Sequence, residues 1–136
     1  AASEEWKAIM PDGSLVEPET EGTLKYDATN VDGSGNIVLA TSVVNQTSGD
    51  PSASTVFRNL TARDVAAPAL LHQLGLFPKD TNYDTSTVSM RNLGERLPRR
   101  GGHWAGTSSA GVPALFLAHP RSYMGYELGF RLAYYR

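Results

Sequence analysis

The chain contains no cysteine among its 136 residues, which excludes a disulfide framework, a thiol nucleophile and a zinc–thiolate centre. No apolar run approaches the roughly 20 residues that a membrane-spanning helix needs, so no membrane span is expected. Residues 1–5 do not read as a signal peptide. The three histidines, His72, His103 and His119, have no metal-ligand spacing. No glycine loop is present that would cradle a phosphate, and residues 106–110 miss the last glycine of a nucleophile elbow. Two stretches, Asn30 to Ser34 and Asp80 to Asp84, look faintly like calcium loops. The first has Ala28 and Leu39 where acids belong, and the second has Thr85 for glycine and Arg91 for the bidentate glutamate, so both are read as turns. Catalytic residues, metals and cofactors are accordingly expected to be none. The chain reads as no enzyme.

What is present fits one domain spanning residues 1–136, long enough to bury a core without staples. The net charge of −2 conceals an asymmetry: residues 1–50 carry nine acids and two bases, and residues 51–136 carry five acids and ten bases. Arg91, Arg96, Arg99 and Arg100 lie close together, but Gly94, Leu97 and Pro98 break the run and no helical face results. Nucleic-acid binding is therefore not expected. Such arginines serve better as loop anchors, since a planar guanidinium bonds carbonyls and carboxylates.

Along the chain, turn signals at residues 11–13, 17–18 and 21–22 cut the first part into short strands. Residues 36–44 form the best strand, rich in β-branched side chains, and residues 55–60 a second. One helix is expected with Pro68 in its first turn, a Leu70, Leu71 and Leu74 stripe and a stop at Gly75 and Pro78. Thr61 or Asp64 is a candidate cap before it. Residues 79–100 read as irregular, while 114–117 and 128–135 read as strands. The whole is α+β, with short helices packed on irregular antiparallel strands.

Seven of the twelve aromatic residues fall in the last 34 positions. Trp104 and Phe130 are read as core. Tyr123 and Tyr126 differ, because they follow the turn-like Pro120–Arg121–Ser122 stretch, where little regular structure would bury them. Tyrosines exposed on a scaffolded loop are typical of binding surfaces.

The stretch from Gly94 to Trp104, with Gly129–Phe130–Arg131 after it, resembles the R-G-G-x-W … G-F-R signature of the formylglycine-generating-enzyme type of C-type lectin fold. With residues 110–122 between them, the block is similar to the variable region of target proteins of diversity-generating retroelements, relatives of the phage major tropism determinant. In that family the block reads R-G-G-N-W-N-N-G, then A-G-V-F-A-L-N-L-N-N-x-R-S-N, then N-N-x-G-F-R. The asparagines arise from adenine-rich template codons that mutagenic reverse transcription replaces. The fixed letters align without a gap across about residues 100–131, the expected variable region. Substitutions fall at His103, Ala105, Gly106, Ser109, Phe116, Ala118, His119, Tyr123, Gly125, Tyr126 and Glu127. Pro113 departs from the usual Phe, and Glu127 is not reached from a plain Asn codon by changes at adenine alone.

The resemblance implies a C-type lectin fold and a ligand- or receptor-binding display protein, hypervariable at those eleven positions. Its partner would be a protein or glycan, on a cell surface. The location would be a virion or the cell exterior, with self-association as an option. It does not imply formylglycine chemistry, whose copper-binding thiols need cysteine. The sugar-binding calcium motifs of true lectins are absent too. The alternative is a structural or assembly module of a phage tail or surface protein, using the same face on sister subunits. In either case alternation along a strand would turn Leu117 inward and Phe116 and Ala118 outward. Arg100, Arg121 and Arg131 would pin loops.

Overall fold

Turn chemistry sets the first elements. A computed structural model of the chain describes residues 7–28, 37–43, 52–82, 86–92, 98–101, 114–120 and 122–124. Strands β1 (Ala8–Ile9) and β2 (Leu15–Val16) form an antiparallel hairpin with Ala8 opposite Val16. Its loop closes through Gly13 N–H to Met10 O at 2.9 Å, with Gly13 at φ +85°, where an L side chain would be strained. The Asp12 carboxylate accepts from Ser14 Oγ at 2.6 Å and Ser14 N at 2.9 Å, and these bonds hold it below the usual carboxylate range.

Strands β3 (Lys25–Asp27) and β4 (Val38–Ala40) pair antiparallel. Next come β5 (Ser52–Val56) and β6 (Thr61–Ala62), and β6 lies parallel to β4 on its other side. All three residues of β4 are buried, which explains its unbroken apolar sequence. Beyond α1 (Ala69–Gln73) follow β7 (Thr87–Arg91), β8 (Arg99–Arg100) and β9 (Leu115–Leu117). The largest sheet has the order β5–β7–β9–β8. One buried cluster joins Ala28 and Ile37, which flank β3 and β4, to Val88, Met90 and Leu115 of the largest sheet, together with Phe57 and Leu60.

The result is a mixed α/β structure, mostly short sheets with few helices. Several expectations need correction. The strands are not uniformly antiparallel, since β4–β6 and β7–β9 run parallel. Residues 79–100 are not irregular throughout. Strand β7 runs through them and buries Val88 and Met90 on alternate positions. The strand expected at 55–60 begins at Ser52 and ends at Val56, where Phe57–Asn59 turns into a 3₁₀ helix. That turn lets Phe57 N–H bond Ser86 O at 2.8 Å while its ring goes into the core. Strand β4 is shorter than the 36–44 expected. Thr61 lies in β6 rather than at a cap. The expected strand at 128–135 lies outside the described residues.

Helix α1 stops as its sequence dictates. Pro68 stands at the N-cap, one position earlier than the first turn. Gly75, at φ +63°, gives its N–H to His72 O at 3.0 Å, and Leu76 N–H reaches Leu71 O at 2.8 Å, the paired bonds of a Schellman ending. Of the leucine stripe only Leu71 is buried, and Leu74 is 51% exposed. His72 is half-buried, with its ring edge-on to Phe77 at 5.9 Å and Nδ1 3.2 Å from Phe77 O.

Two side chains join the layers. Asn92 accepts from Ala28 N–H at 2.6 Å and donates to Tyr26 O at 3.1 Å, so one amide ties the end of β7 to β3. Arg63 pairs with the buried Asp27 carboxylate at 3.0 Å and also donates to Ser42 O at 2.9 Å.

Candidate binding face

The site grows from the alternation of β9. Leu115 is fully buried and Leu117 packs on the same core, so Phe116 between them stands on the opposite face. Cross-strand register places Ser89 of β7 on one side of Phe116 and Arg99 of β8 on the other. Ser54 of β5 completes the row, its hydroxyl 2.8 Å from that of Ser89. Phe116 thus sits on an interior strand whose backbone is paired on both sides.

After β9 the chain turns back, with Tyr123 N–H donating to Pro120 O at 3.1 Å. The turn brings His119 and Tyr123 into a parallel stack, ring centroids 3.8 Å apart and planes 14° from each other. The Arg99 guanidinium lies over two rings at once, 5.8 Å from the centre of Phe116 and 5.2 Å from that of Tyr123. Both distances are within cation–π reach. Phe116, His119 and Tyr123 therefore form one assembly linked through Arg99. Each is half-buried, supported below and open in part to solvent. Met124, beside Tyr123, is 90% exposed.

Below this face Arg100 does different work. Neighbours on a strand point to opposite sides, and Arg100 reaches the end of α1, donating to Leu74 O at 2.8 Å and to Gly75 O. Tyr26 donates its hydroxyl to Leu76 O close by. Burial pushes the Tyr26 phenol far above its ordinary value, with the Arg100 charge opposing. Burial lowers the Arg100 guanidinium while Tyr26 opposes, and an arginine stays charged at neutral pH regardless. The loop-pinning role expected of Arg100 is visible in these bonds.

Of the eleven expected positions, Phe116, His119 and Tyr123 come together, with Ala118 half-buried between the first two. His103, Ala105, Gly106, Ser109, Gly125, Tyr126 and Glu127 lie outside the described residues, as do Trp104, Arg121 and Arg131. Sequence reasoning missed Arg99 and Met124 as members of the face. The Arg99–Arg100 pair carried the signal, because two adjacent arginines on a strand must serve two faces. Among the described residues no group of three His, Asp or Glu side chains could hold a metal ion, and no helix is long and apolar enough to cross a membrane. The arrangement offers rigid ring area, an imidazole and a guanidinium, which suits recognition by contact. In comparison with known proteins, the chain matches no family model and no curated protein.

Proposed function

We propose that the chain is a ligand-binding display domain of C-type lectin fold, whose C-terminal face is varied by a diversity-generating retroelement. The observation that carries this reading is the grouping of Phe116, His119 and Tyr123. Three side chains at positions where the family's template would carry asparagine lie together on one side of a sheet. The frame supports the same reading from beneath. Leu115 and Leu117 face the core and Arg100 bonds the helix end, so substitutions above them need not disturb the backbone. Surface changes of that kind usually cost within about 0.5 kcal/mol, which leaves side-chain identity free to follow the ligand. A face held rigid before binding also loses little entropy on docking.

The test is deep sequencing of this gene across a natural population, read from codon 94 to codon 131. Substitutions should concentrate at His103, Ala105, Gly106, Ser109, Phe116, Ala118, His119, Tyr123, Gly125 and Tyr126. Arg100, Gly101, Leu115 and Leu117 should stay fixed. An even spread of changes, or none, would overturn the diversified-binder reading. A face used for assembly with sister subunits would then explain the same geometry.

A further inference from the structure

Arg99 is not among the eleven expected variable positions, yet its guanidinium lies over the rings of two of them. We infer that Arg99 is a fixed positioning residue of the binding face, holding the rings at positions 116 and 123 in the orientation in which they meet a ligand. The inference rests on the binding-face reading for its purpose, but its geometry stands apart from it.

Arg99 and Arg100 divide two tasks between the faces of β8. Arg100 secures the strand from below, through the carbonyls of Leu74 and Gly75. Its guanidinium fills the space above Gly75, where an added Cβ would come within 3.2 Å of Nη2. The strand so fixed carries Arg99 on its upper side, directly across from Phe116 in register. From there the guanidinium lies over the Phe116 ring and over the Tyr123 ring, although Tyr123 belongs to the turn beyond β9. The imidazole of His119 covers Tyr123 at 3.8 Å, so the phenol ring is held by two planar groups.

A guanidinium suits this place for a general reason. It is planar, always charged and weakly hydrated, so it stacks on the face of any aromatic ring without needing a partner of fixed hydrogen-bonding shape. Rings arriving by substitution at 116 or 123 would all find the same cation beneath them. The fixed residue makes each new aromatic rigid on arrival, and a rigid ring loses less freedom on binding.

The experiment is carried out on the full chain without ligand. Its tyrosine rings are carbon-13 labelled and followed by NMR, with the Tyr123 signals assigned from Tyr123→Phe. In the wild type the Tyr123 ring signals should lie well away from those of free tyrosine. Arg99→Met should move them at least halfway back. Arg58→Met, which removes an exposed arginine from the 3₁₀ turn, should leave them in place. A folded Arg99→Met protein with unchanged Tyr123 signals overturns the inference. Should that variant not fold, Arg99→Lys decides, since it keeps the charge and loses the plane. Ring signals displaced toward those of free tyrosine in the folded lysine variant support a stacking role. Wild-type signals, or failure of both variants to fold, make Arg99 a residue of the scaffold alone and overturn the proposal. Population sequencing without variation at 116, 119 and 123 would defeat the binding-face reading instead, and leave the NMR result standing.

Discussion

Asn92 joins two sheets with one amide, so replacing it isolates that joint. Its Oδ1 accepts from Ala28 N–H and its Nδ2 donates to Tyr26 O. Ala28 is only 3% exposed, which keeps its N–H from turning to water. Asn92→Ala strips both groups of their partner. At about 1–3 kcal/mol for each unsatisfied group, and allowing for the half-exposed side of the joint, the loss should be about 2–4 kcal/mol. For a chain of this length that lowers the melting temperature by about 10 °C. Asn92→Asp is the sharper test because shape is kept and only the donor is lost. As a carboxylate, the new side chain still accepts from Ala28 but turns a negative oxygen on the Tyr26 carbonyl. That repulsion, with partial burial, outweighs one N–H donor and raises the folded-state pKa above the unfolded value of about 3.9. In the interval between the two values the folded chain binds more protons, so stability falls as pH rises through it. Below the interval the protonated side chain donates to Tyr26 O and the joint re-forms. Urea unfolding of wild type and both variants, from about pH 3.5 to pH 7.5, reads this directly. Asn92→Asp should approach wild type at the acid end and Asn92→Ala at the neutral end. A difference from wild type that does not change with pH would refute the two-partner joint.

Other outcomes follow from the same geometry. Leu115→Ala, at a fully buried position under the Phe116 side of the sheet, should cost about 2–5 kcal/mol in chemical denaturation. Gly75→Ala forces a side chain into the left-handed region against the Arg100 guanidinium, and should lower stability by about 1–2 kcal/mol with faster amide exchange at Leu76. Tyr26→Phe removes the bond to Leu76 O, a loss of about 1 kcal/mol at neutral pH. The wild-type phenol is held above its unfolded value, so wild-type stability should fall as pH rises past about 10, and Tyr26→Phe should flatten that decline in alkaline unfolding curves. Tyr123→Ala should leave the unfolding free energy in urea within about 1 kcal/mol of wild type, and unfolding of that variant would remove Tyr123 from the surface face.

How far the chain could be read in advance depended on the range of the interaction. Local chemistry was legible. The turn at Gly13, the helix stop at Gly75 and the apolar run of β4 each depend on residues within a few positions of one another. Strand β7 was missed although Val88 and Met90 alternate with polar neighbours, because turn-forming residues on both sides dominated its surroundings. The end of β5 was missed for another reason: Phe57 is a strand former, and only the distant Ser86 carbonyl shows why the chain turns there. The Asn92 joint, the Arg100 bonds and the Arg63–Asp27 pair join residues far apart in the chain, and no local pattern announces them. On the candidate face, the resemblance picked out Phe116, His119 and Tyr123, but the broken basic run read as loop anchors and so Arg99 was passed over.

The parallel pairing of β7 with β9 also bears on how quickly the chain reaches its native state. Val88 meets Leu115 only after the intervening segment, β8 included, has closed on itself. Closing a loop of roughly two dozen residues costs entropy that must be met before the strands align. The middle of the largest sheet therefore assembles through distant partners on both sides, β5 earlier in the chain and β9 later. Topologies of this kind fold in roughly milliseconds to seconds, slower than helical chains of similar size. Any substitution at positions 116, 119 and 123 leaves the chain to pass through the same slow closing step. Kinetic competence, as well as final stability, then limits which substitutions β9 and the turn after it can carry.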